Sequence, residues 1–143
     1  MTVTRTARSD FVAAALAMLD TPFHHQGRAP GVGLDCAGVV ICALKQCGIA
    51  AIDAAGYGRI PAPALFAETI AAQFDPIDQA DLQPGDLMTF AFRRAPQHIA
   101  VVSAVAPVML VHAIQAAGRV VANSLDATWQ QRLRGCYRVR GLI

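Results

Sequence analysis

Hydrophobic positions repeat about every four residues up to Pro84-Gly85 and about every second residue beyond it. The first half therefore reads as helices and the second as strands. One amphipathic helix is predicted over residues 6–19 (TARSDFVAAALAML), with Phe11, Ala15, Met18 and Leu19 on one side. Residues 20–34 (DTPFHHQGRAPGVGL) are rich in Gly and Pro and read as loop. A second helix follows over 36–47 and ends at Gly48. A flexible stretch holds Gly56 and Gly58, then Pro61 and Pro63 introduce a third helix over about 63–73. Strands are expected at 86–92, 98–104, 108–113, 118–123 and 135–140, with a helical turn near 126–132. Helices first and an antiparallel sheet second define an α+β domain, expected to occupy residues 1–143 as one unit.

Composition narrows the function classes. The chain has 143 residues, enough for one domain with a real core. Hydrophobic residues make up 55% and charged residues 15%, a globular balance. No apolar run reaches the roughly 18 residues of a membrane span, so no membrane partner is expected. The opening MTVTRTARSDF lacks a basic stretch followed by a long apolar core, so no secretory signal is read. A net charge of +2, with no aromatic platform near the Arg132–Arg140 cluster, speaks against nucleic acid; that cluster reads as solvated surface. The cysteines are Cys36, Cys42, Cys47 and Cys136. Their spacing suggests neither a zinc ribbon nor a thioredoxin site, and disulfides are not expected. Cys42 and Cys47 read as small buried hydrophobes.

Cys36 is different. Asp35 precedes it and is a natural helix N-cap, which puts Cys36 in the first turn. Unpaired backbone N–H groups and the positive end of the helix dipole favour a thiolate there and can lower the thiol pKa. Cys36, Val40, Ala43, Leu44 and Cys47 share one helical face, so the sulfur sits at the tip of a buried stripe. Gly38 would permit close approach of substrate or a strand. Taken alone, Cys36 reads first as a core cysteine at a helix start, because buried cysteines are common. The histidines extend the pattern. His98 opens the strand HIAVVSA and His112 closes VMLVHA. A hairpin centred on residue 105 places the two rings directly opposite each other, with Ala100, Val102, Val108 and Leu110 on their face, packed under a helix. A one-residue slip would separate them. A thiol, an imidazole and a third group to orient it are the parts of a nucleophilic site.

These residues carry a resemblance. LDCAGVV is similar to the nucleophile motif of the NlpC family of papain-like cysteine peptidases, which reads DC-small-G-apolar. PGDLMTF, HIAVV and LVHA follow in the family's order, and the resemblance runs from about Phe11 to the C-terminus. It implies a cysteine-bearing helix packed on an antiparallel sheet. It also implies Cys36 as nucleophile, His98 as base, His112 as orienter, and the Cys36 N–H as one oxyanion donor. The implied substrate is a peptidoglycan stem peptide, cut at a γ-D-glutamyl bond to diaminopimelate or lysine, without a metal or other cofactor. The segment HHQGRAPGVGLDC resembles the phage-tail branch of the family, including tail-like gene-transfer particles. That implies synthesis in the cytoplasm, incorporation into a virion or tail-like particle, tail proteins as partners, and action on the cell wall. Pro22-Phe23 stands where the family often has a Tyr, keeping the ring and losing the hydroxyl.

Asp35, Phe23, His25 and Arg28 are the candidate substrate-binding residues around the nucleophile; for His25 and Arg28 a solvated loop is the preferred reading. Asp86, in PGD, reads as a turn residue. Trp129 reads as packing the C-terminal segment onto the sheet. Three alternatives stand beside peptidase action: acyl transfer or amide hydrolysis on a non-wall substrate, a structural tail component with a decayed site, and zinc binding by Cys36, His98 and His112.

Overall fold

A computed structural model of the chain describes residues 6–53, 63–92 and 97–143. The expected flexible stretch with Gly56, Gly58 and Pro61 lies outside them. Helix α1 (Arg8–Leu16) is followed by two short paired strands, β1 (Arg28–Ala29) and β2 (Gly33–Leu34), then by α2 (Cys36–Gln46) and α3 (Pro63–Gln73). Next come β3 (Phe74–Ile77), a 3-10 turn at Gln79–Asp81, β4 (Leu87–Phe90), β5 (His98–Val105), β6 (Val108–Ile114) and β7 (Arg119–Ser124). Helix α4 (Ala127–Arg132) leads into β8 (Leu133–Val139). The main sheet has the order β3-β8-β4-β5-β6-β7, and every pairing is antiparallel. This is the α+β arrangement expected.

The departures have local causes. Helix α1 stops at Leu16, three residues early. Asp20 adopts φ 68°, a left-handed backbone that no helix continues through, and Leu19 turns out to solvent. Strand β3 was not anticipated, because Asp75-Pro76 argues against a strand. Proline is tolerated on a sheet edge, where its missing N–H costs no ladder bond, and β3 is an edge. The expected single stripe on α2 is instead burial on all sides: residues Gly38 through Leu44 are all buried. Gly38 explains part of it. A Cβ there would run into the Gly27 carbonyl oxygen, so the glycine admits the backbone of the preceding loop.

Two clusters of apolar side chains lie on opposite faces of the sheet. On one face α1 and α2 bury Phe11, Val40 and Leu44 against Ile99, Val101, Val111 and Ala113. On the other, α4 and its flanks cover Met88, Phe90, Ala100, Val102 and Leu110. Ala100, Val102, Val108 and Leu110 thus pack under a helix, as expected, but that helix is α4 and not the one bearing Cys36. A buried carboxylate ties sheet to helix. Asp86 is fully buried, pairs with Arg8 and Arg138 at 2.9 Å each, and accepts the Gln83 N–H at 2.8 Å. Burial alone would raise its carboxyl pKa, but these bonds hold it below the ordinary value. Asp86 therefore serves its turn and an ion pair as well. Arg138 and Arg140, expected as solvated surface, engage Asp86 and Asp75.

Candidate active site

The position of Cys36 follows from its helix start. The Asp35 carboxylate accepts the Gly38 N–H at 2.8 Å, an N-cap that sets Cys36 as the first helical residue. The same carboxylate accepts the Gln26 N–H at 3.0 Å and a guanidinium N–H of Arg28 at 2.8 Å. Arg28 also forms a two-pronged pair with Asp53, both bonds 2.9 Å. Arg28 is therefore braced between two carboxylates on β1; it is not a solvated loop residue.

Cys36 is half-buried and lines a cavity of about 240 Å³ together with His98. Phe23, His25, Arg28 and Asp35 line the same cavity, so every residue singled out around the nucleophile borders one space. Val40, Ile41, Phe66 and Ile70 form its apolar wall. His112 lies behind His98, outside the lining and fully buried. The sulfur lies by the start of β5, where the Ile99 N–H favours the thiolate. Because α2 and the histidine rings occupy opposite faces of the sheet, the thiol and His98 share the cavity at the end of that strand.

The imidazoles are joined, though not in the expected register. The turn at Ala106-Pro107 and an irregularity between Val102 and Ala104 shift the hairpin, so Val101 pairs with Val111 and Val102 with Leu110. Continuing that pairing sets His112 against Ala100, two positions from His98. An even shift preserves the face, and a diagonal neighbour is within reach of a long side chain. His98 Nε2 and His112 Nδ1 lie 2.7 Å apart. On its far side, His112 Nε2 is 2.6 Å from Asn123 Oδ1. With three of the four ring nitrogens engaged in this chain, the pair does not fit two ligand positions of a zinc site built with Cys36.

Trp129 does more than pack the C-terminal segment. Its ring stands 4.8 Å from that of His112 and 5.8 Å from that of His98, edge-on to Phe90 at 5.1 Å. Phe92 covers His98 from the cavity side at 5.1 Å. Arg132 lies over both Trp129 and Phe92, 5.1 and 5.3 Å from the ring centroids. This dry enclosure controls protonation. Burial pushes the His98 pKa well below its ordinary 6.5, with His112 and Arg132 adding to the effect. Burial lowers His112 to about 4, against the opposing bond to Asn123. Burial, reinforced by Asp35, raises the Cys36 thiol to about 11. The N–H groups of Ile99 and Ala37 and the Arg28 charge pull the other way without winning. The helix-start argument for a lowered thiol pKa is thus overruled by desolvation. The resting site holds a neutral thiol beside neutral imidazoles.

Sequence reasoning missed Asn123. The signal was present as a lone amide in the apolar strand RVVANS, and the β6–β7 register that pairs His112 with Val121 sets position 123 on the His112 face.

A helix-borne thiol and a strand-borne imidazole lining one cavity on an α+β scaffold are the parts of a nucleophilic thiol site. Residues 20–138 match the profile of the NlpC/P60 family, and the chain belongs to that family. It is 36% identical over 83 residues to a probable endopeptidase of Mycobacterium tuberculosis and to one of Mycobacterium bovis. Those matches cover 58% of this chain but 18% of each relative, so the chain spans under a fifth of the length of the curated relatives it matches. Its fold is similar to that of a Bacillus cereus NlpC/P60 family protein (TM-score 0.73, 20% identity, 96% of this chain and 41% of that one). It is also similar to the peptidoglycan hydrolase RipB of M. tuberculosis (TM-score 0.67, 16% identity, 92% and 63%). A third similar fold is RipD of M. tuberculosis, described as a non-catalytic domain protein adapted to peptidoglycan binding (TM-score 0.63, 14% identity, 96% and 98%).

Proposed function

We propose that this chain is a cysteine peptidase that hydrolyses peptidoglycan stem peptides. The observation that carries the reading is the shared cavity of Cys36 and His98, with His98 bonded behind to His112. Fold likeness cannot separate a hydrolase such as RipB from a non-catalytic protein such as RipD. An intact thiol, base and orienter favour catalysis over the decayed-site reading.

In the cycle that follows, the thiol and imidazole start neutral. The Cys36 sulfur attacks the scissile carbonyl carbon while its proton passes to His98 Nδ1, the ring nitrogen not engaged by His112. His112 steadies the imidazolium as it forms. The C–N bond then breaks, and His98 returns the proton to the departing amine. Water, deprotonated by His98, attacks the thioester carbonyl; the carboxylic acid leaves and the thiol is restored. The Cys36 N–H, at the free end of α2, is the proposed oxyanion donor. Phe23, His25, Arg28 and Asp35 are proposed as the substrate wall. Arg28 and Asp35 act through their mutual ion pair, which keeps the loop against the nucleophile helix.

The γ-D-glutamyl bond to diaminopimelate or lysine is the proposed cleavage point, and a virion or tail-like particle the proposed carrier. Both rest on the motif LDCAGVV and its upstream segment. Purified peptidoglycan is the test substrate, with released fragments read by mass. Wild-type protein should release peptides with a new amino terminus at diaminopimelate or lysine. Cys36→Ala should lose at least about 10⁴-fold in rate with an unchanged thermal transition. Undiminished turnover by Cys36→Ala ends the proposal.

A further inference from the structure

Behind the histidine pair lies a group to which the reaction above gives no task. Asn123 sits half-buried on β7, two positions beyond the residue paired with His112, and does not line the cavity. Its Oδ1 is 2.6 Å from His112 Nε2, while its Nδ2 donates to the Ser124 carbonyl at 3.0 Å.

The second bond decides the first. An amide nitrogen can only donate and a carbonyl can only accept. With Nδ2 committed to Ser124, Oδ1 must be the atom facing His112. His112 Nε2 must then carry the hydrogen. A neutral imidazole holds one N–H, so His112 Nδ1 is bare and accepts. The 2.7 Å bond from His98 therefore runs from His98 Nε2–H to His112 Nδ1. His98 Nδ1 is bare in turn, which is the form a base toward Cys36 needs. Were His112 to take the other tautomer, its Nδ1–H would donate to His98 Nε2. The pair would look the same to heavy atoms, but the His98 proton would sit on Nδ1, the nitrogen that takes the thiol proton in the proposed cycle. Such a ring cannot accept the thiol proton. The two arrangements differ by which end of the relay holds an acceptor.

We infer that Asn123 is a positioning residue that sets the tautomers of both histidines, keeping the His98 hydrogen on Nε2 and its Nδ1 open toward Cys36. The inference rests on the proposed peptidase reading for its catalytic consequence, but the tautomer assignment stands apart from any substrate.

Nitrogen-15 spectra of histidine-labelled protein, near neutral pH, distinguish the two ring tautomers directly. Wild-type protein should show His98 and His112 both protonated at Nε2. Asn123→Leu, similar in size but without an acceptor, should show a mixture or reversal of tautomers in both rings. It should lower kcat on peptidoglycan peptides about 100-fold with KM little changed, because residue 123 does not line the cavity. Asn123→Asp, which presents acceptor oxygen in either orientation, should restore the Nε2–H form and most of kcat. Wild-type tautomers in Asn123→Leu would overturn the inference. So would Asn123→Asp failing to rescue while both variants melt like wild type. If wild-type protein cleaves no stem peptide, the peptidase reading falls, and the spectra alone still decide what Asn123 does.

Discussion

On one face of the sheet, α1 and α2 cover Val101 and Val111 with aliphatic side chains; on the other, α4 covers His98 and His112 with Trp129. The strands are the same and the side-chain alternation of β5 and β6 assigns their residues to one side or the other. Yet one face is packed mainly with aliphatic groups, whereas the other also buries two imidazoles and an amide-anchored relay. Apolar burial yields free energy wherever it occurs, about 25 cal/mol per Å². Burying imidazoles stabilises nothing by itself and demands that each ring nitrogen find a partner or stay open for use. Apolar burial therefore stabilises both the α2 face and the α4 face, and only the α4 face also controls protonation. The nucleophile belongs by its helix to the first and by its chemistry to the second.

Removing the base tests this division most severely. His98→Ala should cut kcat/KM on stem peptides by about 10⁴-fold while leaving the thermal transition within a few degrees of wild type. A large loss of stability would mean that the His98 ring itself carries fold energy. The reciprocal change is Val101→Ala on the α2 face. It should cost about 2–3 kcal/mol in denaturant unfolding and leave kcat per folded molecule unchanged. A selective loss of kcat would break the comparison.

The third test is a pH dependence. His112 titrates at about 4 in the fold, and His98 also lies well below 6.5, chiefly because burial disfavours their charged forms. Between 6.5 and about 4 the unfolded chain binds protons that the folded chain does not. Stability from these rings is thus complete above pH 6.5 and lost as pH falls through that window, by up to about 1.4 kcal/mol per pH unit for each ring. Thermal unfolding across pH 4–7 reads the slope. Trp129→Ala should flatten it, because water reaching the rings raises both pKa values toward 6.5. A slope unaffected by that change would show that Trp129 is not what keeps the pair dry.

Much of this was legible before any coordinates. Asp35-Cys36 announced a capped helix start, and the cap forms on the Gly38 N–H. His98 and His112 stood out as polar residues at the ends of two apolar strands, and their shared face survived a two-residue error in register because side chains alternate with period two. Strand β3 was hidden by Pro76, whose edge position only the sheet order reveals.

What the amino-acid order determined by itself was local: which segments are helix or strand, where the thiol enters its helix, and which side of each strand carries a histidine. These follow from periodicity and capping, which act over a few residues. The tertiary structure alone decided which helix covers which face, that Arg28 is braced by Asp35 and Asp53, and that Asn123 stands behind His112. It also reversed the expected direction of the Cys36 pKa. Desolvation is the reason: it depends on everything that surrounds a group, and its surroundings come from parts of the chain far away in sequence.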